Sequence, residues 1–259
     1  MGAVLLSGPW TGEMGWGLCC YIPHLRYVAR RYKKVTVGCR KGEEYLYQDF
    51  ATKVYTVKAD NFTDRWLNHG KVYSPPRKIW KHYPNAQIIM PGPETCMSTR
   101  REYCCYGQHT QYQNGIYDII IHARSATKYK SSNRNWPVKY YQEVLKHFPK
   151  LKAASVGTEA HHIPGTEDKR GVPLVDLCSM MRQCKLVIGP SSGTMHLAHM
   201  CQAPILVWTG REKQKCIKAN NRKRYEKLWR AFDTPVHVLD AHGWTPNPKW
   251  VIRAMEGIL

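Results

Sequence analysis

The 259-residue chain has no apolar run near the roughly 20 residues that a membrane-crossing helix requires, so nothing in it reads as a span. It has no C-x-x-C spacing. The ten cysteines include the adjacent pairs Cys19-Cys20 and Cys104-Cys105, a pattern unlike zinc-binding modules, and reduced thiols in a cytoplasmic protein are expected. Internal repeats and low-complexity tracts are missing too. The opening Ala3-Val4-Leu5-Leu6 follows no basic region and is too short for a signal segment, and Leu6 breaks the N-myristoylation pattern. It is expected to be a first buried strand. Negative charge is what the chain has least of: 19 Asp and Glu stand against 39 Lys and Arg, a net charge of +20. An excess of this size and single sign points to an anionic partner, whether nucleic acid, an anionic membrane surface or a phosphorylated glycolipid.

What is present is organised around the stretch from Lys185 to Gly210. Leu186 to Ile188 reads as a short strand ending at Gly189-Pro190. Ser191-Ser192-Gly193 then reads as a tight loop, and Thr194 to Cys201 has helical spacing. Ala203-Pro204 stops that helix before a second apolar run, Ile205 to Trp208. The unit is strand, small-residue loop, short helix, strand. Its loop presents backbone N–H groups at a helix start, which makes it a candidate anion site for a phosphate-bearing ligand.

The remaining chain repeats this alternation. Val4 to Ser7 reads as a strand that runs into a glycine-rich loop ending at Gly17, with Gly12, Glu13 and Trp16 in it. Leu18 to Tyr32 reads as a helix with Ile22, Leu25, Val28 and Ala29 on one face and Arg26, Arg30 and Arg31 on the other. Strands are expected at Lys34–Gly38, Lys53–Val57 and Gln87–Met90. From about 60 to 115, aromatic and basic residues are interleaved. A continuous apolar run, Tyr117 to His122, begins the second half. Trp136-Pro137 opens a helix reaching Phe148, Leu151–Val156 is the next strand, and Leu174–Arg182 an amphipathic helix. A basic segment, Arg211 to Arg230, a strand at Val236–Leu239 and a terminal helix at Lys249–Leu259 complete the chain. The fold class expected is α/β with parallel sheets, in two halves whose ligands bind beyond the carboxyl ends of the strands.

Several of these residues resemble glycosyltransferase family nine, the group of lipopolysaccharide heptosyltransferases. They are Arg134 ahead of Trp136-Pro137, Gly157-Thr158-Glu159, the run Val187 to Ala198 with Pro204 after it, and Ile22-Pro23-x-Leu25-Arg26. The match is best across 117–210. It implies a GT-B-like fold of two Rossmann-like domains facing a central cleft, with residues 1–112 for the acceptor and 113–245 for the nucleotide sugar. The helix within 246–259 is expected to pack back on the first domain. The chemistry implied is transfer of a sugar from a nucleotide-diphosphate sugar to a hydroxyl, with inversion and with no metal or other cofactor.

By position, the resemblance assigns the diphosphate to Ser191, Ser192, Gly193 and Thr194, with His196 one turn in and Arg134 gripping phosphate. Glu159 would bind the donor ribose. Gly12, Trp16, Arg211 and Lys213 are expected on the acceptor side. The chain departs from the family at two positions. Ser191 stands where an Asp is usual, and Gly17 stands where the family has its catalytic Asp. Glu13, the nearest carboxylate in that loop, is therefore expected to be the general base. His199 is expected to be a satisfied helix histidine, and His161-His162 has no partner spacing for a metal. For the acceptor, the charge favours DNA with hydroxymethylated bases over lipopolysaccharide or another cell-surface glycan. A non-catalytic nucleic-acid-binding protein on the same scaffold is the alternative of another class, with Gly17 its best support.

Overall fold

The computed structural model describes residues 3–57, 75–108, 116–125, 132–158, 160–211 and 220–259. The chain divides into two compact units between Cys104 and Cys105, whereas the boundary expected at 112/113 lies outside the described residues.

In the first unit β1 (Val4–Ser7), β2 (Lys34–Arg40), β3 (Lys53–Val57) and β4 (Gln87–Ile89) form one parallel sheet in the order β3-β2-β1-β4. Leu5 pairs with Val35 on one side and Gln87 on the other. The chain moves outward from β1 through β2 to β3, then crosses to the far side of β1 for β4. The loops after β1 and β4 therefore flank the point where strand order reverses, the usual crevice of such sheets. α1 (Met14–Trp16) passes through a wide π-helical turn, Gly17–Tyr21, into α2 (Ile22–Ala29). Two short helices, α3 (Arg77–His82) and α4 (Pro93–Met97), flank β4.

The buried face of α2 carries Ile22, Leu25 and Ala29 as the periodicity requires, but Arg26, expected on the polar face, is buried beside them. Its guanidinium takes both carboxylate oxygens of Asp49 at 2.6 and 3.0 Å, donates to the Glu102 carbonyl and lies over the Phe50 ring. A paired, hydrogen-bonded guanidinium tolerates burial that a bare one would not.

The second unit holds β5 (Ile119–Ile121), β6 (Ala153–Val156), β7 (Glu167–Lys169), β8 (Leu186–Pro190), β9 (Ile205–Trp208) and β10 (Val236–Leu239). They form a second parallel sheet in the order β10-β9-β8-β5-β6-β7. Here the reversal falls between β5 and β8. The helices are α5 (Val138–His147), α6 (Leu174–Gln183), α7 (Gly193–Met200), α8 (Asn221–Lys223) and α9 (Pro248–Glu256), with a π-helical turn, Arg224–Leu228, after α8.

The continuous apolar runs of β5, β8 and β9 are buried throughout, as strands covered on both faces must be. Trp136, Tyr141 and Trp208 form an aromatic cluster at the centre of this core, with Trp136 4.7 Å from Trp208 between ring centroids. α9 belongs to the second unit. Val251 and Met255 enter the core of the second unit, and the helix lies along α5. Two bonds hold it there: Trp136 Nε1 donates to the Pro246 carbonyl at 2.7 Å, and His147 meets Glu256 at 2.8 Å.

Candidate functional site

At the reversal point of the second sheet, β8 ends at Pro190 and α7 begins at Gly193, with Ser191 and Ser192 between them. The backbone N–H of Ser191 closes onto the Trp208 carbonyl at 2.9 Å, and its hydroxyl meets the Tyr225 hydroxyl at 3.2 Å. Ser192 is the N-cap residue in extended conformation. Its Oγ is shielded from water, makes no capping bond, and has no partner among the described residues. The amides of Gly193, Thr194 and Met195 have no carbonyl one turn earlier in the helix to accept them. An eight-residue helix thus aims amides and the positive end of its dipole beyond the strand end, beside an unsatisfied hydroxyl. This arrangement can bind a phosphate.

His196 lies one turn further on and is buried. Its ring stacks on Tyr225 at 4.6 Å and meets Trp229 edge-on at 4.9 Å. Desolvation, with help from the Arg224 and His199 charges, pushes its pKa down to about 3, so the ring is neutral. It packs Tyr225 and Trp229 against α7. His199 accepts the Ala231 N–H through Nε2 at 3.1 Å, while its Nδ1 is buried with no partner among the described residues, so the ring expected to be satisfied is satisfied at one nitrogen only. Burial and the Arg230 charge push it down to about 4.

The same sheet edge carries a residue that sequence reasoning passed over. His122 follows β5 and is buried, and two glycines make its space. A Cβ on Gly157 would stand 2.7 Å from its Nδ1, and one on Gly189 would stand 2.9 Å from its carbonyl oxygen. Desolvation first, with the nearby Arg124, pushes His122 down to about 4, while Nδ1 lies 3.4 Å from the Val156 carbonyl. The signal was the polar residue closing an otherwise apolar strand run. Arg134, in the 3₁₀ turn ahead of α5, places its guanidinium 5.1 Å from the centre of the Trp244 ring. Glu159 and Lys213 lie outside the described residues.

The basic segment 211–230 behaves differently from a free cationic arm where it is described. Arg222 bonds Glu226 and Asp240, Arg230 pairs with Asp233, and Arg224 is buried over Trp229. Arg211 is exposed, with Nε 3.9 Å from Asp240.

In the first unit, Glu13 stands at the N-cap position of α1, at the end of the β1 loop, without a side-chain capping bond. Its carbonyl accepts from Trp10 Nε1 at 2.9 Å and from the Gly17 amide at 3.1 Å. Trp10 is buried and stacked on Tyr21, whose hydroxyl donates to the Gly8 carbonyl. The indole also explains Gly17. A Cβ there would lie 2.8 Å from Trp10 Cδ1, so the position at which the family has its Asp is walled off in this chain. Gly12 is held the same way, its hypothetical Cβ 2.7 Å from the indole. Trp16, expected to face an acceptor, is buried at 3% exposure and belongs to the core.

Comparison with protein-family models finds no match, and neither does comparison with curated proteins. Solved structures do match. The Escherichia coli ADP-heptose lps heptosyltransferase II superposes with a TM-score of 0.59 at 11% identity, over 99% of this chain and 98% of that one. The E. coli heptosyltransferase WaaC with ADP-2-deoxy-2-fluoro heptose gives 0.58 at 12% identity, over 98% and 99%. The iron-containing dodecameric glycosyltransferase TibC of enterotoxigenic E. coli gives 0.51 at 18% identity, over 81% of this chain. The present chain spans only 58% of TibC's length. At these identities the likeness establishes the fold: α/β, with two parallel-sheet units of the GT-B type.

Proposed function

We propose that this protein is a nucleotide-sugar-dependent glycosyltransferase of the heptosyltransferase type, with the donor diphosphate on the Ser192–Thr194 turn. The observation that carries the reading is the start of α7 at the strand-order reversal, its amides accompanied by the unpartnered Ser192 Oγ. A departing diphosphate develops negative charge, and fixed backbone dipoles stabilise it without reorganising. Arg134 adds a cation on the same strand-end edge, oriented by Trp244. These groups supply the leaving-group stabilisation that a metal would otherwise provide.

Glu13 takes the proton of the attacking hydroxyl, as the one carboxylate in the loop where Trp10 fills the space beside Gly17. Direct attack from the side opposite the diphosphate gives inversion.

The acceptor is anionic, matching the net charge of +20. A phosphorylated surface glycan is the first reading, since Arg222, Arg224 and Arg230 of the segment 211–230 are engaged within the protein. Duplex DNA is the second reading, favoured by the charge alone.

A thermal-shift screen of ADP, UDP and GDP tests the donor reading. A nucleotide at a hundredfold excess over its Kd stabilises by about 2.7 kcal/mol, several degrees for a unit of this size. No shift with any nucleotide at millimolar concentration would sink it. For the acceptor, duplex DNA binding that weakens steeply with salt supports the second reading, and no binding at about 100 mM salt removes it.

A further inference from the structure

Arg40 is the last residue of β2, and parallel pairing brings its end to the same sheet edge as the loop after β1. The side chain is buried, about 9% exposed. Its Nη2 donates to the Gly12 carbonyl at 2.7 Å, and its Nε lies 3.3 Å from Glu43 Oε1. The Glu43 amide in turn donates to the Arg40 carbonyl at 3.0 Å, so a tight turn presents the carboxylate to its own guanidinium. Burial raises the Glu43 pKa, and Arg40 opposes that rise.

Burying a guanidinium costs several kcal/mol unless carboxylates and carbonyls satisfy it. Among the described residues of this unit the other buried arginine is Arg26, which ties α2 to Asp49 and the 102 carbonyl, all packing elements. Arg40 instead spends a charge-assisted bond on the peptide immediately before Glu13. From the other side, Trp10 fills the space over Gly12 and Gly17 and bonds the Glu13 carbonyl. The loop is thus held at two successive peptide carbonyls, 12 and 13.

We propose that Arg40, set by Glu43, is a positioning residue that locks the Gly12–Glu13 peptide and so fixes the carboxylate of Glu13. This rests on the reading of Glu13 as the base. The fork of an arginine can hold Gly12 and Glu43 together; a lysine is a point charge that holds one at a time. A base displaced by about 1 Å loses on the order of 100-fold in rate.

Two measurements test it. The first is hydrogen exchange of the 12–17 amides in the wild type, Arg40→Lys and Glu43→Gln. Both variants should speed exchange there at least tenfold while the amides of β1 and β2 keep their protection. Unchanged exchange overturns the proposal, and so does faster exchange through the whole unit, which would make Arg40 a fold staple only. The second is release of nucleoside diphosphate from ADP-glucose and UDP-glucose, with water as acceptor. Arg40→Lys should lower kcat at least tenfold with an unchanged donor KM, and should cost nothing further when added to Glu13→Ala. An equal loss in both backgrounds overturns the proposal. Full activity in Glu13→Ala, or no release by the wild type, instead removes the base or the enzyme reading, and the exchange result then decides on Arg40 by itself.

Discussion

Acidification should destabilise this protein well above the pH at which its carboxylates protonate. Three imidazoles of the second unit, His122, His196 and His199, are buried and held neutral, at about 4, 3 and 4. Desolvation is the main cause in each. The unfolded chain exposes them with ordinary pKa values near 6.5, so below that pH it binds protons that the native unit refuses. Stability is complete above about pH 7 and falls as the pH drops from 6.5 towards 4. At pH 5.5 each imidazole costs about 1.4 kcal/mol, a figure insensitive to the native value so long as it lies below about 5. Together they remove about 4 kcal/mol, a large share of the 5–15 kcal/mol typical of a domain. Asp118, Asp168 and Asp240 do not add to this window, because Lys185, Arg170 and Arg222 hold them below the usual carboxylate range. Glu43, raised by burial, acts with opposite sign but belongs to the first unit. The assay is urea unfolding at pH 7.5 and 5.5, followed by hydrogen exchange of second-unit peptides. His199→Gln keeps an acceptor for the Ala231 N–H and should shrink the pH difference by about 1.4 kcal/mol. A wild-type difference below about 1 kcal/mol would refute the burial argument.

Gly157→Ala should cost roughly 2–4 kcal/mol in chemical denaturation, because φ is +110° and the new Cβ meets the His122 ring; a loss under about 0.5 kcal/mol would mean the ring yields freely. Arg26→Ala should cost about 3 kcal/mol by the same measurement, leaving Asp49 without its two-bond partner. Gly17→Asp should destabilise by about 1–3 kcal/mol and fail to raise nucleoside diphosphate release, since Trp10 occupies the carboxylate's space; a gain in turnover would contradict that account.

The parallel sheets were legible because β1, β5, β8 and β9 are unbroken apolar runs, and the β8–α7 turn because Gly189-Pro190 and Ser192 punctuate it. β7 was not, since Glu167-Asp168-Lys169 is a polar edge strand with no apolar alternation, held by pairing with β6. Arg26 broke the helical pattern because its partners, Asp49 and the Glu102 carbonyl, are distant in sequence. Periodicity could not show that α9 covers α5, because an amphipathic helix does not name the face it will meet. The basic run 211–230 looked like a surface for polyanions. Tyr225 in the π-helical turn and Trp229 just after it explain why the described part folds down on α7 instead. For the candidate site, the β8–α7 turn proposed for the phosphate could be read from residue types, whereas the Trp10 wall over Gly17 and the Arg40 bond to Gly12 are products of packing.

The most direct test of the central claim is a crystal structure of the protein with ADP or UDP bound. The account predicts the diphosphate at the start of α7, with phosphate oxygens about 2.9 Å from the amides of Gly193 and Thr194 and Arg134 turned towards them. A diphosphate bound elsewhere, with the Ser192–Thr194 turn left to solvent, would contradict it.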